Sequence, residues 1–152
     1  MNKMLCVGLL VGLAGCSAAP PPTSSVQLSG TIQGPPGASV DKKVYVSLYH
    51  AWALEGELRH PVQFIESFEA RVGAYMHTFE YPDTLGDGLL VYAWLDTDGD
   101  GVSCTPSART DIAGLTEAEG FPADSVVVDV ELTQACAGPD WFYPPAPETA
   151  RL

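Results

Sequence analysis

Leu-Leu-Val-Tyr-Ala-Trp-Leu at residues 89–95 runs directly into Asp-Thr-Asp-Gly-Asp-Gly at residues 96–101. Seven consecutive apolar residues bounded by turn residues are typical of a strand that is buried on both faces, in the middle of a sheet. The second part alternates acids with small residues, a composition that favours a tight loop. The sequence therefore predicts a central strand that ends in an acidic loop.

The acidic loop resembles the calcium-binding loop of EF-hand proteins. Carboxylates at alternate positions of a tight turn can all point at one ion, and calcium accepts about six to eight oxygen ligands in irregular geometry. Asp96, Asp98 and Asp100 match positions 1, 3 and 5 of that loop. Gly101 matches position 6, where the chain turns sharply, and the resemblance implies the backbone carbonyl of Val102 as the ligand at position 7.

The resemblance to the calcium loop is incomplete. Position 12 is Ser107 instead of a bidentate glutamate, and a strand, not a helix, precedes the loop. A further acid must therefore come from elsewhere, and the nearest in sequence are Asp87, Asp111, Glu117 and Glu119. The alternative is a solvated turn, since Asp and Gly favour turns without any ion. Carboxylates held close together repel one another, and this repulsion favours a bound cation, Ca²⁺.

The N-terminus has the features of a secretion signal. Lys3 precedes a short apolar stretch that cannot span a bilayer. Residues 13–16, Leu-Ala-Gly-Cys, then resemble the lipobox of bacterial lipoproteins. The resemblance implies that residues 1–15 are removed and that Cys16 carries acyl chains, which anchor a protein to a membrane. Ser17 in place of an aspartate implies routing to the outer membrane, and an ordinary signal peptide with a chance cysteine is the alternative.

The remainder of the chain predicts one domain between two irregular ends. Residues 16–25 contain several prolines and serines without apolar periodicity, as in an extended tether. Residues 26–143 have the usual size of a single domain, and residues 144–152 form a Pro-rich tail.

Several segments have the apolar pattern of strands, and no long helical period occurs. We therefore expect an all-β fold, a single antiparallel β-sandwich of about seven strands. Residues 105–125 look irregular and polar, and one helical turn is expected at 115–120. Residues 50–61 look mixed. The clearest strand segments are 26–33, 43–49, 62–68, 72–81, 89–95 and 125–133.

The order of these segments is similar to that of transthyretin-like, carboxypeptidase-regulatory-like β-sandwich modules of secreted bacterial proteins. Two departures are a longer turn at 81–88 and a longer segment at 50–61. The resemblance spans most of residues 26–101 and implies an immunoglobulin-like sandwich that acts as a non-catalytic folding or binding unit. The matching residues are Gly30 with Ile32, Val44 with Val46 and Leu48, Gly88, Val91, Ala93 and the run from Leu95 to Gly101.

Composition restricts the partners. The chain has 7 basic and 19 acidic residues and a net charge of −12. Nucleic acid and anionic lipid headgroups are poor partners for such a surface, whereas a cation is a good one. A solvated surface outside the cytoplasm also fits this charge without any ligand.

Two of the four cysteines lie at the N-terminus and two in the expected domain. Cys6 lies in the signal and Cys16 is the expected lipid site. Cys104 and Cys136 remain, and secretion places them in an oxidising compartment. We therefore expect a disulfide between them.

Catalytic alternatives rest on weaker patterns. His50, His60 and His77 lack the spacing of metal ligands, and we expect them on strand surfaces. Glu66 and Glu69 could pair as carboxylates, although a solvated strand edge is the simpler expectation. Six aromatic residues could form a carbohydrate platform if they did not pack in the core: Trp52, Trp94, Trp141, Tyr49, Tyr75 and Tyr143.

The sequence favours a non-enzymatic, calcium-stabilised lipoprotein of the bacterial cell envelope. Its expected partners are a membrane, through the lipid anchor, and another envelope protein, but not nucleic acid. The second hypothesis is an envelope hydrolase or a carbohydrate-binding subunit that uses the glutamates or the aromatic residues.

Overall fold

The computed structural model describes residues 22–54, 57–82 and 88–139, with side chains at 22–51, 63–82 and 88–139. The predicted signal segment 1–15, Cys16 and the tail 144–152 lie outside this part. The described residues form nine strands and no helix, and thus no helix that could cross a bilayer. The strands are β1 (Thr23–Gln33), β2 (Lys43–Leu54), β3 (Glu57–Arg71), β4 (Gly73–Pro82), β5 (Gly88–Leu95), β6 (Ile112–Glu117), β7 (Ser125–Val127), β8 (Val130–Glu131) and β9 (Gln134–Ala135).

The strands form two sheets. In the first sheet β1 pairs antiparallel with β4 on one side and parallel with β7 and β8 on the other. The second sheet has the order β3-β2-β5-β6-β9 and is antiparallel throughout. The expected all-β fold is confirmed, but the first sheet is mixed. A strand joined to β1 by a hairpin would run antiparallel to it. β7 instead follows β6 of the second sheet along the chain, and it pairs parallel with β1.

β5 is the central strand that the sequence predicts. It lies between β2 and β6, and all eight of its residues are buried. Alternate residues from Leu89 to Leu95 join a core cluster that both sheets share, with Leu28 of β1 and Val46 of β2 among its members. Tyr92 and Trp94 point the other way and belong to a second apolar cluster. Burial on both faces explains why the apolar run has no alternation.

β6 lies in the region that was expected to be irregular. Residues 112–117 pair antiparallel with residues 90–95, so the helical turn expected at 115–120 is wrong. Glycine at position 114 conceals the strand, because glycine is depleted in strands. The fold requires it, since a Cβ at Gly114 would lie 2.1 Å from the carbonyl oxygen of Glu131.

β2 and β3, which form a hairpin, are both longer than expected, because residues 51–54 and 57–60 of the mixed segment are strand. The pairing shifts register between Leu48 and Tyr49 and again between His50 and Trp52. Each irregularity interrupts the two-residue period. A strand predicted from that period therefore ends too early.

The last predicted strand, residues 125–133, is divided into β7 and β8, which lie along the same side of β1. Between them the backbone of Val128 approaches β1 closely and donates its N–H to the carbonyl oxygen of Ser29 at 2.8 Å. A Cβ at Gly30 would lie 2.0 Å from the carbonyl oxygen of Val128. Gly30 is therefore needed for the approach of the two strands.

Candidate metal centre

Asp96 and Asp111 are brought together by the register of two neighbouring strands. Leu95 ends β5 and pairs with Ile112, which begins β6. The residues just beyond this pair therefore lie side by side at the same end of the sheet. The Asp96 N–H also donates to the carbonyl oxygen of Lys43 at 3.0 Å, which fixes the start of the acidic loop to β2.

The acidic loop folds back around the carboxylate of Asp96, which is 3% exposed. Gly99 and Gly101 donate their backbone N–H groups to its two oxygens, at 2.7 and 3.1 Å. Their φ angles, 82° and 75°, lie in the left-handed region that glycine adopts readily. The Lys42 amine donates to the carbonyl oxygen of Thr97 at 2.6 Å and supports the loop from β2's side.

Asp111 organises the other side of the loop and is 2% exposed. Its Oδ1 accepts the N–H and the hydroxyl of Thr97, at 2.9 and 3.2 Å, and its Oδ2 accepts the N–H of Cys104 at 2.8 Å. Its carbonyl oxygen accepts the N–H of Cys136 at 2.9 Å. A buried carboxylate needs such donors, since burial removes its hydration.

Three carboxylates form an acidic cluster, which we define as Asp96, Asp98 and Asp111. Each offers one oxygen, and these three oxygens all lie within 4.8 Å of one another. An ion between them would be roughly 2.8 Å or less from each oxygen, near the calcium–oxygen distance of about 2.3–2.6 Å. Asp98 is exposed, so the cluster is open to solvent on its side. The arrangement can hold a metal ion.

Asp100 is not one of the three acids of the acidic cluster, and its ligand role stays a prediction. It is exposed, and its Oδ1 accepts the N–H of Val102 at 2.8 Å. Asp96 and Asp98 of the loop pattern thus belong to the acidic cluster, and Asp111 is its third carboxylate. The Val102 side chain is 55% exposed; a ligand role for its carbonyl oxygen stays a prediction.

Two other candidate acids, Glu117 and Glu119, lie away from the acidic cluster. Glu117 pairs with Leu90 at the opposite end of β6, and Glu119 follows it along the chain. Asp87 is outside the described residues. Sequence reasoning could place Asp111 among the candidates but could not single it out, because that choice depends on the register of β6 with β5.

Negative charge accumulates at Asp98. The hydrogen bond from the backbone N–H of Asp100 lowers the pKa of Asp98. Partial loss of hydration and the charges of Asp100, Asp111 and Asp96 raise the pKa by more than this bond lowers it. The pKa of Asp98 is therefore raised above its ordinary value. The shift means that the folded loop disfavours the ionised carboxylate, and a bound cation would reverse that preference.

The expected disulfide between Cys104 and Cys136 is confirmed, with an S–S distance of 1.99 Å. It joins the end of the acidic loop to the residue after β9. Both cysteines have positive φ angles, 50° and 53°. The backbone N–H groups of both cysteines also donate hydrogen bonds to Asp111, so the disulfide lies directly beside a candidate metal ligand.

His50 is completely buried, and the expectation of a surface position is wrong. Its Nδ1 lies 3.0 Å from the Tyr81 hydroxyl and 3.2 Å from the carbonyl oxygen of Gly88. The side chain of His60 is outside the described residues. His50 therefore links β2 to β4 and β5 in the interior and has no part in the acidic cluster.

His77 links the edges of the two sheets. Its Nε2 lies 2.5 Å from Oε1 of Glu66, and its ring stacks on Phe68 with the ring centroids 3.9 Å apart. Glu69 bonds instead to Lys43, with 3.1 Å between Oε2 and Nζ. Glu66 and Glu69 thus have separate partners and do not form the carboxylate pair considered from the sequence.

The described aromatic residues divide between the two sides of the second sheet. Tyr75 lies in the shared core, where its hydroxyl donates to the carbonyl oxygen of Val128 at 2.7 Å. Trp94 and Tyr49 lie in or against the second apolar cluster. The structure therefore does not bring them together as one platform. The side chains of Trp52, Trp141 and Tyr143 lie outside the described residues.

The acidic cluster is thus the strongest indication of function that the described residues carry. No protein-family model, curated protein or solved structure matches this chain.

Proposed function

We propose that this chain is a non-catalytic β-sandwich module that binds calcium and is anchored in a bacterial cell envelope. The observation that carries the proposal is the acidic cluster, in which Asp96, Asp98 and Asp111 offer oxygens within 4.8 Å of one another. Asp96 and Asp111 lie beside the paired residues Leu95 and Ile112 at one end of the second sheet, and both accept backbone N–H groups from the loop between them. The sheet register and these hydrogen bonds favour a preformed site over a chance cluster.

The ligand chemistry favours calcium among the metal ions. All three side chains of the cluster offer carboxylate oxygen, which suits hard cations better than zinc or copper. A site of few carboxylates on an irregular loop suits calcium better than magnesium, which demands octahedral geometry and loses water reluctantly. Water and backbone carbonyls would complete the coordination. We expect a dissociation constant of about 10⁻⁴–10⁻³ M, as in extracellular modules.

The bound ion would act on the structure of the loop. It would neutralise the repulsion that raises the pKa of Asp98, and a ligand that binds only the folded chain stabilises it by mass action. The calcium-loaded module would then serve as a binding or structural unit, with another envelope protein as its partner and without nucleic acid. Its envelope location is supported by the lipobox-like residues 13–16.

The metal proposal is tested by calorimetric titration with calcium and magnesium, together with melting curves in chelator and in millimolar calcium. Calcium should give heat and a higher melting temperature, and magnesium a smaller rise. Asp111→Asn should remove both effects. Asp124→Asn, an exposed acid outside the cluster, should keep them. If calcium gives neither heat nor a melting shift in the unsubstituted chain, the calcium proposal is rejected.

The anchor is tested separately by labelling cells with palmitate. The label should enter the unsubstituted chain and Cys6→Ala, but not Cys16→Ala, and the labelled protein should fractionate with the outer membrane. Equal labelling of all three proteins, or of none, would reject the lipoprotein assignment without affecting the calcium site.

A further inference from the structure

A groove runs between the outer strands of the two sheets. In the described part of the chain, β3 is the outer strand of the second sheet and β4 that of the first. Residues 68–71 of β3 and residues 74–77 of β4 border a groove of about 480 Å³, which we call the edge groove. Small-molecule sites usually have volumes of about 300–1,000 Å³. The edge groove is therefore large enough for a small ligand, and every residue that lines it is described.

The floor of the edge groove is aromatic, because alternate residues of both outer strands point inward. Phe68 pairs with the core residue Val46 and therefore faces the interior. On β4, Tyr75 belongs to the core, and His77 pairs with the core residue Leu28. The centroid of the Phe68 ring lies 3.9 Å from that of His77 and 6.2 Å from that of Tyr75. An apolar or aromatic group can thus pack on this floor.

The two rims of the edge groove differ in charge. Lys43, Glu69 and Arg71 line the rim on the second sheet, whereas Ala74 and Met76 line the rim on the first. Met76 is 71% exposed. The charged rim has two positive groups and one negative group, although the chain as a whole has a net charge of −12. The groove therefore combines an apolar side with a side that has one excess positive charge.

Arg71 is the cation on the charged rim that an anion can reach most easily. The Lys43 amine is already neutralised, because it lies 3.2 and 3.1 Å from the two carboxylate oxygens of Glu69. Nη1 of Arg71 is 3.6 Å from Oδ1 of Asp41, and the two side chains are 70% and 86% exposed. Ion pairs as exposed as this contribute little to stability. An incoming anion can therefore replace Asp41 at small cost.

We propose that the edge groove binds a small amphipathic carboxylic acid, with its apolar body against Phe68 and Met76 and its carboxylate on Arg71. The planar guanidinium group can donate two parallel hydrogen bonds to a carboxylate. A monovalent acid suits the groove better than a phosphate dianion, because the acidic protein repels each further negative charge. The acid can be a free small molecule or the C-terminal residue of a peptide. The site needs no metal ion and is independent of the calcium proposal.

The test follows the methyl resonance of Met76 by nuclear magnetic resonance of the full chain, in buffer with a calcium chelator. Met76 is the only methionine after residue 4, and Met76→Leu assigns its resonance. Phenylpropionate should shift this resonance until the site is saturated. Phenylpropanamide, its uncharged analogue, should bind about tenfold more weakly, and Arg71→Gln should weaken the binding of phenylpropionate by about the same factor. Arg109→Gln, at an exposed arginine outside the groove, is the matched control and should bind as the unsubstituted chain does.

A capped tripeptide that ends in a free phenylalanine carboxylate separates the two sources of the acid. Tighter binding of the tripeptide than of phenylpropionate would support a peptide C-terminus as the ligand, and weaker binding would support a free acid. A Met76 resonance that no probe shifts would overturn the proposal. Equal affinity for phenylpropionate and phenylpropanamide would also overturn it, as would unchanged affinity in an Arg71→Gln variant with an unchanged melting temperature, because the groove would then not recognise a carboxylate.

Discussion

The carboxylate of Asp111 accepts the backbone N–H of Cys104 at 2.8 Å. The other half of the disulfide, Cys136, donates its N–H to the carbonyl oxygen of the same aspartate at 2.9 Å. A single buried acid thus receives hydrogen bonds from both cysteines and belongs to the acidic cluster. Since the disulfide holds these donors in place, its loss should affect both the stability of the chain and its affinity for a cation.

Replacing both cysteines by serine should lower the free energy of unfolding by about 3–4 kcal/mol. The estimate follows from the chain entropy released when a link between residues 32 apart is removed. Urea unfolding measures the loss, and calcium titration should show weaker binding in the same variant. Reductant should destabilise the unsubstituted chain but leave the variant unaffected. Equal stability of the two proteins would contradict this expectation.

Asp111→Asn should destabilise the chain by about 1–3 kcal/mol even in calcium-free buffer. The substitution replaces one buried carboxylate oxygen by an NH₂ group, which then faces an N–H donor of Thr97 or Cys104. Urea unfolding gives the difference. The exposed Asp124→Asn should stay within about 0.5 kcal/mol of the unsubstituted chain. A loss of the same size in both variants would mean that the buried bonds do not matter.

Asp98→Asn should stabilise the chain at neutral pH in chelator. The pKa of Asp98 is raised in the folded chain, so the folded state binds the proton more tightly than the unfolded state does. Stability should fall as the pH rises from the ordinary aspartate pKa through the raised one, and should remain lower above it. The asparagine removes this loss, while its side-chain oxygen can still accept the N–H of Asp100.

In millimolar calcium the order of the two proteins should reverse, because Asp98→Asn removes a ligand. Melting temperatures in chelator and in calcium, at acid and neutral pH, test both halves of the prediction. Asp124→Asn should reproduce neither effect. A variant that is less stable than the unsubstituted chain in chelator would argue against repulsion within the cluster.

Gly30→Ala should destabilise the chain by about 1–3 kcal/mol or more. The new Cβ would lie 2.0 Å from the carbonyl oxygen of Val128, so β1 and the segment between β7 and β8 would have to separate. Gly138→Ala is the control, because a Cβ there would meet nothing within 4 Å. Thermal unfolding should separate the two variants. A mild effect at Gly30 would show that this backbone contact can relax.

What could be predicted from the sequence depended on local pattern. The apolar run of β5, its central place and the following acidic loop are local features, and the structure contains all three. The pairing of Cys104 with Cys136 followed from their number and compartment, and it is also present.

What could not be predicted depended on contacts between distant segments. Gly114 conceals β6 because glycine is rare in strands, and the close approach to Glu131 that requires glycine there joins distant segments. Without β6 the register that places Asp111 beside Asp96 is invisible. The burial of His50 likewise depends on Tyr81 in another sheet. In each case the missing information was a tertiary partner.

The contact between Glu66 and His77 has a further consequence, for the behaviour of the protein in concentrated solution. In the described part of the chain, β3 pairs only with β2, and β4 pairs only with β1. Such outer strands can recruit a strand from another molecule and start self-association. Here the Glu66–His77 pair fastens the two outer strands to each other, and Lys43, Glu69 and Arg71 place charges beside them. Another molecule that pairs with β3 or β4 must therefore separate these two strands and desolvate several charges. Weakening the Glu66–His77 contact should accordingly lower the solubility of the protein more than it lowers the melting temperature.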